Sequence, residues 1–358
     1  MAQRERGTEA VIHTARLSHN LKQFKQLHQG PVITVVKADA YGHGLAVAVN
    51  HLHETDAFAV ATMDEALAVR ALSPDKRIIL LEGVFNQHEL SLSIQHQLDV
   101  VVHQHYQIAL LNQSSATEQL DVWLKLDTGM NRLGFDPVDT EQLITQLNAA
   151  KPVRQIRLMS HFASSDDPSC PQTQTQQTSN EWLKSLGYEY SLSNTGAILN
   201  NLSDRQEWAR VGIGLYGISP LPNQSGSDFG LQPVMELSAK LIATKTIAAG
   251  ARVGYGGTYE AASDMKIGIV GIGYADGYPW TQHQSQVLIH GTLVPVIGRV
   301  SMDMLAINLQ EVPTARTGDR VLLWGNGLPI EQVAADMRLI PYTLPCGITK
   351  RVNFHVIQ

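Results

Sequence analysis

Over roughly the first 220 residues the apolar positions switch repeatedly between two spacings. Leu17, Leu21, Phe24 and Leu27 recur at helical intervals within residues 11–29 and stop at Gly30-Pro31. A run of β-branched residues follows, VITVVK at 32–37, and reads as a strand buried on both faces. The alternation then continues. Strands are predicted at 58–62, 78–82, 99–103, 121–126, 156–160, 189–193 and 209–216. Helices are predicted at 45–52, 63–70, 87–96, 106–112, 139–149, 175–186 and 197–202. Parallel neighbours need a crossover of a dozen or more residues, so strand-helix alternation implies a parallel sheet. Eight such units fit a TIM-type (β/α)8 barrel, with a doubly wound sheet as the rival.

After Pro220 the texture changes. LPNQSGSD at 221–228 is rich in turn formers. Beyond it, strands are predicted at 236–247, 266–274, 285–289, 293–297, 304–309 and 320–324, with a short helix at 329–337. The expected organisation is α/β: a barrel over 1–225, then a mainly β domain over 226–358.

Composition narrows the function classes. The chain of 358 residues is 44% hydrophobic and 17% charged, with a formal net charge of -6. No basic block suggests nucleic acid, and no apolar run approaches the ~20 residues of a membrane span. The polar N-terminus carries no secretory signal, and Cys170 and Cys346 form neither a metal spacing nor an expected disulfide. A cytoplasmic enzyme is the expectation.

Candidate chemistry lies at the carboxyl ends of the barrel strands, where such folds place their sites. Those ends offer Lys37 with Tyr41, then His103, Lys125, Asp127 and Arg132, His161, Asn194 with Thr195, and Arg210 with Gly212 and Ile213. A lysine ending a buried strand either extends its amine to solvent or is a reactive amine fit for Schiff-base chemistry. His103 reads as structural or solvent-facing, and Asp127 as a turn or cap residue. The loops after strands seven and eight, SNTG and RVGI, present backbone N–H groups to an anion. A reactive lysine, an anion cradle and a cation for a ring nitrogen together describe a pyridoxal 5′-phosphate site.

The motifs VVKADAYGHG (35–44), KLDTGMNRLGF (125–135), MSHFA (159–163), RVGIGLYG (210–217), GYGGTY (254–259) and GRVSMD (298–303) occur in the order found in bacterial alanine racemases. The chain resembles that family over essentially its whole length. The resemblance implies a homodimer with shared active sites that interconverts L- and D-alanine for peptidoglycan. It implies that Lys37 holds the cofactor covalently and serves as one base, with Tyr255 of the partner subunit as the other. Tyr41, Thr195, Gly212, Ile213 and Tyr342 would hold the phosphate, with Asn194 in the same loop. Arg210 would face the pyridine nitrogen, and His161 would link Arg210 to Tyr255. Arg132 and the Met302 backbone would bind the substrate carboxylate. Lys125, often carbamylated in the family, would orient Arg132. Tyr259 and Tyr274 would line the entry, and Asp303 would be a supporting residue.

Three positions depart from the family pattern: Thr195 stands for serine, Ser301 for cysteine, and Val11-Ile-His-Thr for a segment with an acidic residue. The rival readings are a racemase of broader specificity acting on serine or lysine, a cofactor carrier without turnover, a decarboxylase of the same architecture, and a noncatalytic scaffold. The domain holding Tyr255 argues against the carrier, and Arg210 against the decarboxylase.

Overall fold

A computed structural model describes residues 6–281, 283 and 285–358. The chain starts outside the barrel. Strand β1 (Glu9–His13) alternates half-buried and buried residues and belongs to the second domain's sheet. The first helix therefore begins at Thr14 rather than near residue 11, and runs to His28. Helical spacing of Leu17, Leu21 and Phe24 is real, but Ala10 and Ile12 bury on strand periodicity.

The barrel strands are β2 (Val32–Val35), β3 (Ala57–Val60), β4 (Arg77–Leu80), β5 (Asp99–Val102), β6 (Leu120–Lys125), β7 (Val153–Met159), β8 (Tyr190–Ser191) and β9 (Ala209–Val211). They form one parallel sheet, in which β2 lies between β3 and β9. Backbone bonds close the ring: Trp208 N donates to Tyr190 O (2.8 Å) and Arg210 N to Ser193 O (2.9 Å). Glu207, fully buried, fixes this seam by accepting from Leu192 N (2.8 Å) and Ser193 N (2.9 Å). The last strand stops at Val211 instead of reaching Tyr216. Gly212 (φ -114°, ψ -95°) turns the chain into a short 3-10 segment, Ile213–Tyr216. The helix Thr14–His28 packs on that segment and takes the place of an eighth crossover helix.

The floor of the barrel is polar. Asp121 accepts from Arg77 (3.0 Å), Arg154 (2.7 Å) and Arg157 (2.7 Å), while Trp123 Nε1 donates to Asp99 (3.0 Å). Arg77, Asp99, Asp121 and Arg154 lie at the amino ends of their strands, opposite the expected site, and Arg157 and Trp123 reach them from mid-strand. On a barrel that face serves stability.

The second domain contributes β10 (Met235–Ile247), β11 (Arg252–Val253), β12 (Tyr259–Glu260), β13 (Met265–Val270), β14 (Gln286–Ile289), β15 (Thr292–Ile297), β16 (Leu305–Asn308), β17 (Arg320–Trp324) and β18 (Asn353–Ile357). Pairing runs β13-β16-β15-β14-β17-β10, and β10 returns to pair β13, so six antiparallel strands close on themselves. The length of β10 permits this: its first half pairs with β1 and β17, its second with β13. Beside β10, β1 pairs in parallel with β18, Glu9 against Asn353 through His13 against Ile357. The two ends of the chain thus meet in one sheet. The pattern of residues 266–274 is broken after Val270 by Gly271 and Gly273, which lead to a 3-10 turn, Tyr274–Asp276.

Candidate active site

The lysine turn is built differently from a simple strand end. Ala38, Asp39, Ala40 and Tyr41 are all left-handed, with φ between 51° and 55°. None is glycine, and each such residue costs about 1–2 kcal/mol. Neighbouring groups hold the turn. Glu65 Oε1 accepts from Ala38 N (2.8 Å), Asp39 Oδ1 accepts from Leu45 N (2.6 Å), and Asp39 O accepts from Gly44 N (3.0 Å). Gly42 has φ 79°, and a side chain there would strike Pro345 O at 2.1 Å, so segment 343–347 lies tightly over the turn. The turn leaves Lys37 on the rim of a cleft and buries Tyr41 beneath it.

That cleft, of about 410 Å³, is lined by Lys37, Tyr41, Lys125, Arg132, His161, Asn194, Thr195, Arg210, Gly212, Ile213 and Tyr342. It sits at the carboxyl ends of the barrel strands. The cluster brings together eleven of the residues picked from sequence. It does not bring in Tyr255, Tyr259, Tyr274, Met302 or Asp303, which lie on the second domain. Tyr255 is 72% exposed and Met302 52%.

Arg210 is the most constrained group in the cleft. Its Nη1 donates to Ser191 Oγ, and its Nη2 reaches Ser160 O (2.6 Å), Leu192 O (3.2 Å) and His161 Nδ1 (2.8 Å). Burial lowers its pKa to about 10, still cationic at neutral pH. Because Nδ1 of His161 faces a guanidinium, it acts as acceptor and the ring hydrogen sits on Nε2. Burial first, then the Arg210 charge, holds His161 well below its ordinary value, so the imidazole is neutral.

Burial also dominates at Lys125, aided by the charges of Arg210 and Arg132, and lowers its amine to about 7. Lys37, Arg132 and Arg210 share this small volume with the Lys125 amine and one carboxylate, Glu82, so the balance of charge is positive. An anionic ligand is what such a surface favours.

The anion cradle is visible in a missing atom. A Cβ on Gly212 would meet Tyr41 Oη at 2.5 Å, so only glycine lets this phenol approach the backbone. Gly212 N donates to Thr195 Oγ1 (3.2 Å), leaving the Thr195 O–H free to donate onward. Burial pushes the Tyr342 phenol up to about 12 and the Tyr41 phenol higher still, so both remain donors at neutral pH. Asn194 caps the short helix that starts at Thr195, accepting from Ala197 N (3.0 Å) and Ser165 Oγ (2.6 Å).

His103 and Asp127 are structural. His103 is buried with Nε2 at 2.9 Å from Glu82 O, and Asp127 Oδ1 accepts from Gly129 N and Asn131 N, each 3.0 Å. Sequence reading missed Glu65, Ser191 and Glu207. Of these only Glu65 left a signal, as the fourth residue of a capping box opened by Thr62.

Comparison with known proteins fits this arrangement. Residues 12–220 match the family described as alanine racemase, N-terminal domain, and residues 234–356 match alanine racemase, C-terminal domain. The chain belongs to the alanine racemase family. It is 42% identical over 354 residues to the biosynthetic alanine racemase of Escherichia coli K12, covering 97% of this chain and 98% of that one. It is 41% identical over 347 residues to the alanine racemase of Shewanella sediminis, covering 96% and 97%. Among solved structures, the biosynthetic alanine racemase of Pseudomonas aeruginosa superposes with a TM-score of 0.96 at 41% identity, covering 99% of this chain and 100% of that one. The alanine racemase of Bartonella henselae, solved with covalently bound pyridoxal phosphate, superposes at 0.87 with 25% identity, covering 98% and 99%. Among the described residues no helix is long and apolar enough to cross a membrane.

Proposed function

We propose that the protein interconverts L- and D-alanine in the cytoplasm, supplying D-alanine for peptidoglycan, with pyridoxal 5′-phosphate at the barrel mouth and sites shared across a homodimer. The observation that carries this reading is the cleft itself: an amine, a phenol-lined cradle and a buried guanidinium converge where a barrel presents its chemistry.

The residues fit the cofactor. Tyr41, Thr195 and Tyr342 offer O–H donors around the space that Gly212 keeps open, which suits a phosphate. Arg210 suits a ring nitrogen that remains an acceptor, because a guanidinium does not readily give up its proton. Ile213 and Asn194 complete the wall. When bound, the cofactor withdraws electron density from the substrate α-carbon and makes its C–H acidic.

The remaining work falls to this chain's own groups. Lys37 holds the cofactor and then exchanges the α-proton on one face. Tyr255 of the partner subunit exchanges it on the other, so each enantiomer has its own base. The neutral His161 keeps its Nε2 hydrogen for the phenol oxygen of Tyr255 of the partner subunit, while Arg210 fixes the ring through Nδ1. Arg132 and the Met302 backbone take the substrate carboxylate. Tyr259 and Tyr274 shape the approach, and Asp303, bonded to Arg351 at 2.6 Å, steadies the Met302 turn. We assign the cofactor site to 1–225, completed by Tyr342 from 226–358, and the second base to 226–358.

Chiral assay of the purified holoenzyme on alanine, serine and lysine tests this reading. Alanine is expected to have the highest kcat/KM. No interconversion of alanine rejects it, and a preference for serine or lysine replaces it with a racemase of broader specificity.

A further inference from the structure

The 3-10 turn Tyr274–Asp276 ends in a carboxylate that is fully buried. A buried charge is costly unless it is paired and hydrogen-bonded. Asp276 is both. Arg6 reaches it with two parallel bonds, Nη1 to Oδ1 and Nη2 to Oδ2, each 2.7 Å. Gly273 N donates to Oδ2 (2.9 Å), and Arg351 Nε lies 3.5 Å from Oδ1. Three stretches far apart in sequence thus meet at one side chain, and none of these residues lines the cleft.

What this carboxylate holds in place is the loop of Met302. Tyr274 N donates to Ser301 O (3.1 Å) and Ala275 N to Met302 O (3.0 Å). The approach is so close that a Cβ on Gly273 would strike Ser301 O at 2.2 Å. On the far side of the loop, Arg6 Nη2 donates to Asp303 O and Arg351 Nη2 to Asp303 Oδ1 (2.6 Å). The two arginines that pair with Asp276 therefore also grip the residue after Met302.

One group in the loop is left out. The Met302 N–H donates to nothing among the described residues, and Met302 is half exposed. In a trans peptide the carbonyl oxygen and the following N–H point in opposite directions. Fixing Ser301 O on the Tyr274 turn therefore aims the Met302 N–H away from that turn. Met302 does not line its own chain's cleft, so this donor is offered outward.

We propose that Asp276 is a positioning residue for substrate: clamped by Arg6 and Arg351, it sets the Met302 N–H that receives the substrate carboxylate in the partner's site. This rests on the reading of Met302 and of shared sites given above. Asp276 itself touches no reacting atom. Among the described residues, the turn that carries Tyr255 takes no hydrogen bond from Arg6, Asp276 or Arg351, so the second base stays in place when the clamp is loosened.

Mixed dimers test this at one site. Pairing Lys37→Ala chains with Tyr255→Phe chains leaves one intact site in each heterodimer. Its Lys37 comes from the Tyr255→Phe chain, and its Tyr255 and Met302 come from the Lys37→Ala chain. Asp276→Asn keeps the side chain's shape but turns an amide NH2 towards an Arg6 donor. Placed in the Lys37→Ala chain, it should raise KM for alanine about tenfold and change kcat less than about twofold, because a contact made in ground and transition states alike is weakened. Placed in the Tyr255→Phe chain, with saturating pyridoxal phosphate, it should leave KM unchanged. The Ki of propionate, a carboxylate without an amine, should follow KM in both placements. Arg6→Gln leaves Arg351 in place and should raise KM about threefold, in the first placement alone. It gives the answer if Asp276→Asn chains do not assemble. An equal rise in both placements, or an unchanged KM in the first, overturns the proposal. If the mixture without a change at Asp276 or Arg6 gains no activity, the shared-site reading falls and this proposal falls with it.

Discussion

Lys125 shows how one residue's environment sets its chemistry. Burial and the charges of Arg210, Arg132 and Lys37 lower its amine to about 7, with Asp127 as the opposing charge. Between about pH 7 and its ordinary value of 10.5 the folded state holds this amine neutral while the unfolded chain keeps it protonated. The unfolded state therefore binds more protons there, and stability rises with pH through that window; below 7 the burial penalty is fully present. A neutral amine is also the form that attacks carbon dioxide, losing a proton to give a carbamate. With ¹³C-labelled bicarbonate, the carbamate carbon signal should increase as pH rises through 7 and vanish in Lys125→Arg. A signal that persists in that variant assigns the adduct elsewhere. Gly212 is the second residue whose identity is dictated by contact, in its case with the Tyr41 hydroxyl at 2.5 Å from any added Cβ. Gly212→Ala should cost about 1–3 kcal/mol of overpacking, expressed mainly as cofactor affinity lowered about tenfold or more. Titration of the apoprotein with pyridoxal phosphate, followed by absorbance, measures it; unchanged affinity would remove Gly212 from the cradle.

At the scale of elements, the lysine turn depends on a side chain from the helix that follows β3. Glu65 accepts from Ala38 N at 2.8 Å and, through its other oxygen, from Ala61 N at 2.9 Å and Thr62 N at 3.3 Å. It caps the helix Met63–Leu72 and anchors a strained turn at once. Glu65→Ala should cost about 1–3 kcal/mol in a urea titration and hasten cofactor loss, whereas Glu65→Gln should retain part of both. Stability lost with no change in cofactor retention would confine Glu65 to capping. This element also marks where sequence reading stops. The barrel strands were legible because runs such as 32–36 and 99–102 are buried on both faces and read as continuous apolar stretches. Four consecutive left-handed non-glycine residues have no local signature, since tertiary contacts impose them against propensity. Strands β1 and β18 escaped for a different reason. Each is five residues long, and they pair across the whole length of the chain. The cleft residues were legible as motifs, but the supports Ser191 and Glu207 are ordinary residues made important only by what the closed barrel brings beside them. The barrel floor yields a separate expectation. Burial opposes ionisation of Asp121, but hydrogen bonds from Arg154 and Arg157 outweigh it and lower its pKa to about 2. Its stabilisation is complete above the ordinary value of 3.8 and fades as pH falls towards 2. Asp121→Ala removes the buried carboxylate from Arg157, which keeps Glu189 and Gln155, and should cost about 1–3 kcal/mol near neutrality. Equal urea midpoints for variant and parent would mean the floor is dispensable.

For the whole molecule the decisive fact is that the two proposed bases are on different domains and only one lines the cleft. Lys37 is on its rim, while Tyr255 stands 72% exposed on a 3-10 turn between β11 and β12. Other large apolar side chains of the same domain are exposed as well, including Tyr274, Met302, Met304 and Phe354. An apolar surface of this kind, with β18 as an uncovered edge strand, is suited to meeting a second copy of the chain. A two-fold dimer presents the same pair of surfaces twice and so completes two sites at once. Mixing tests this directly. Lys37→Ala and Tyr255→Phe homodimers should each be nearly inactive, since every site in each lacks one base. After subunit exchange, a heterodimer holds one site with both defects and one with none. A random mixture at equal concentrations contains about half heterodimer by the symmetry of pairing, each with one of two sites intact. Activity should therefore recover to about one quarter of the parent enzyme's. If both bases instead came from one chain, every site would keep its own defect and mixing would restore nothing, even with exchange verified by mass spectrometry of the intact dimers.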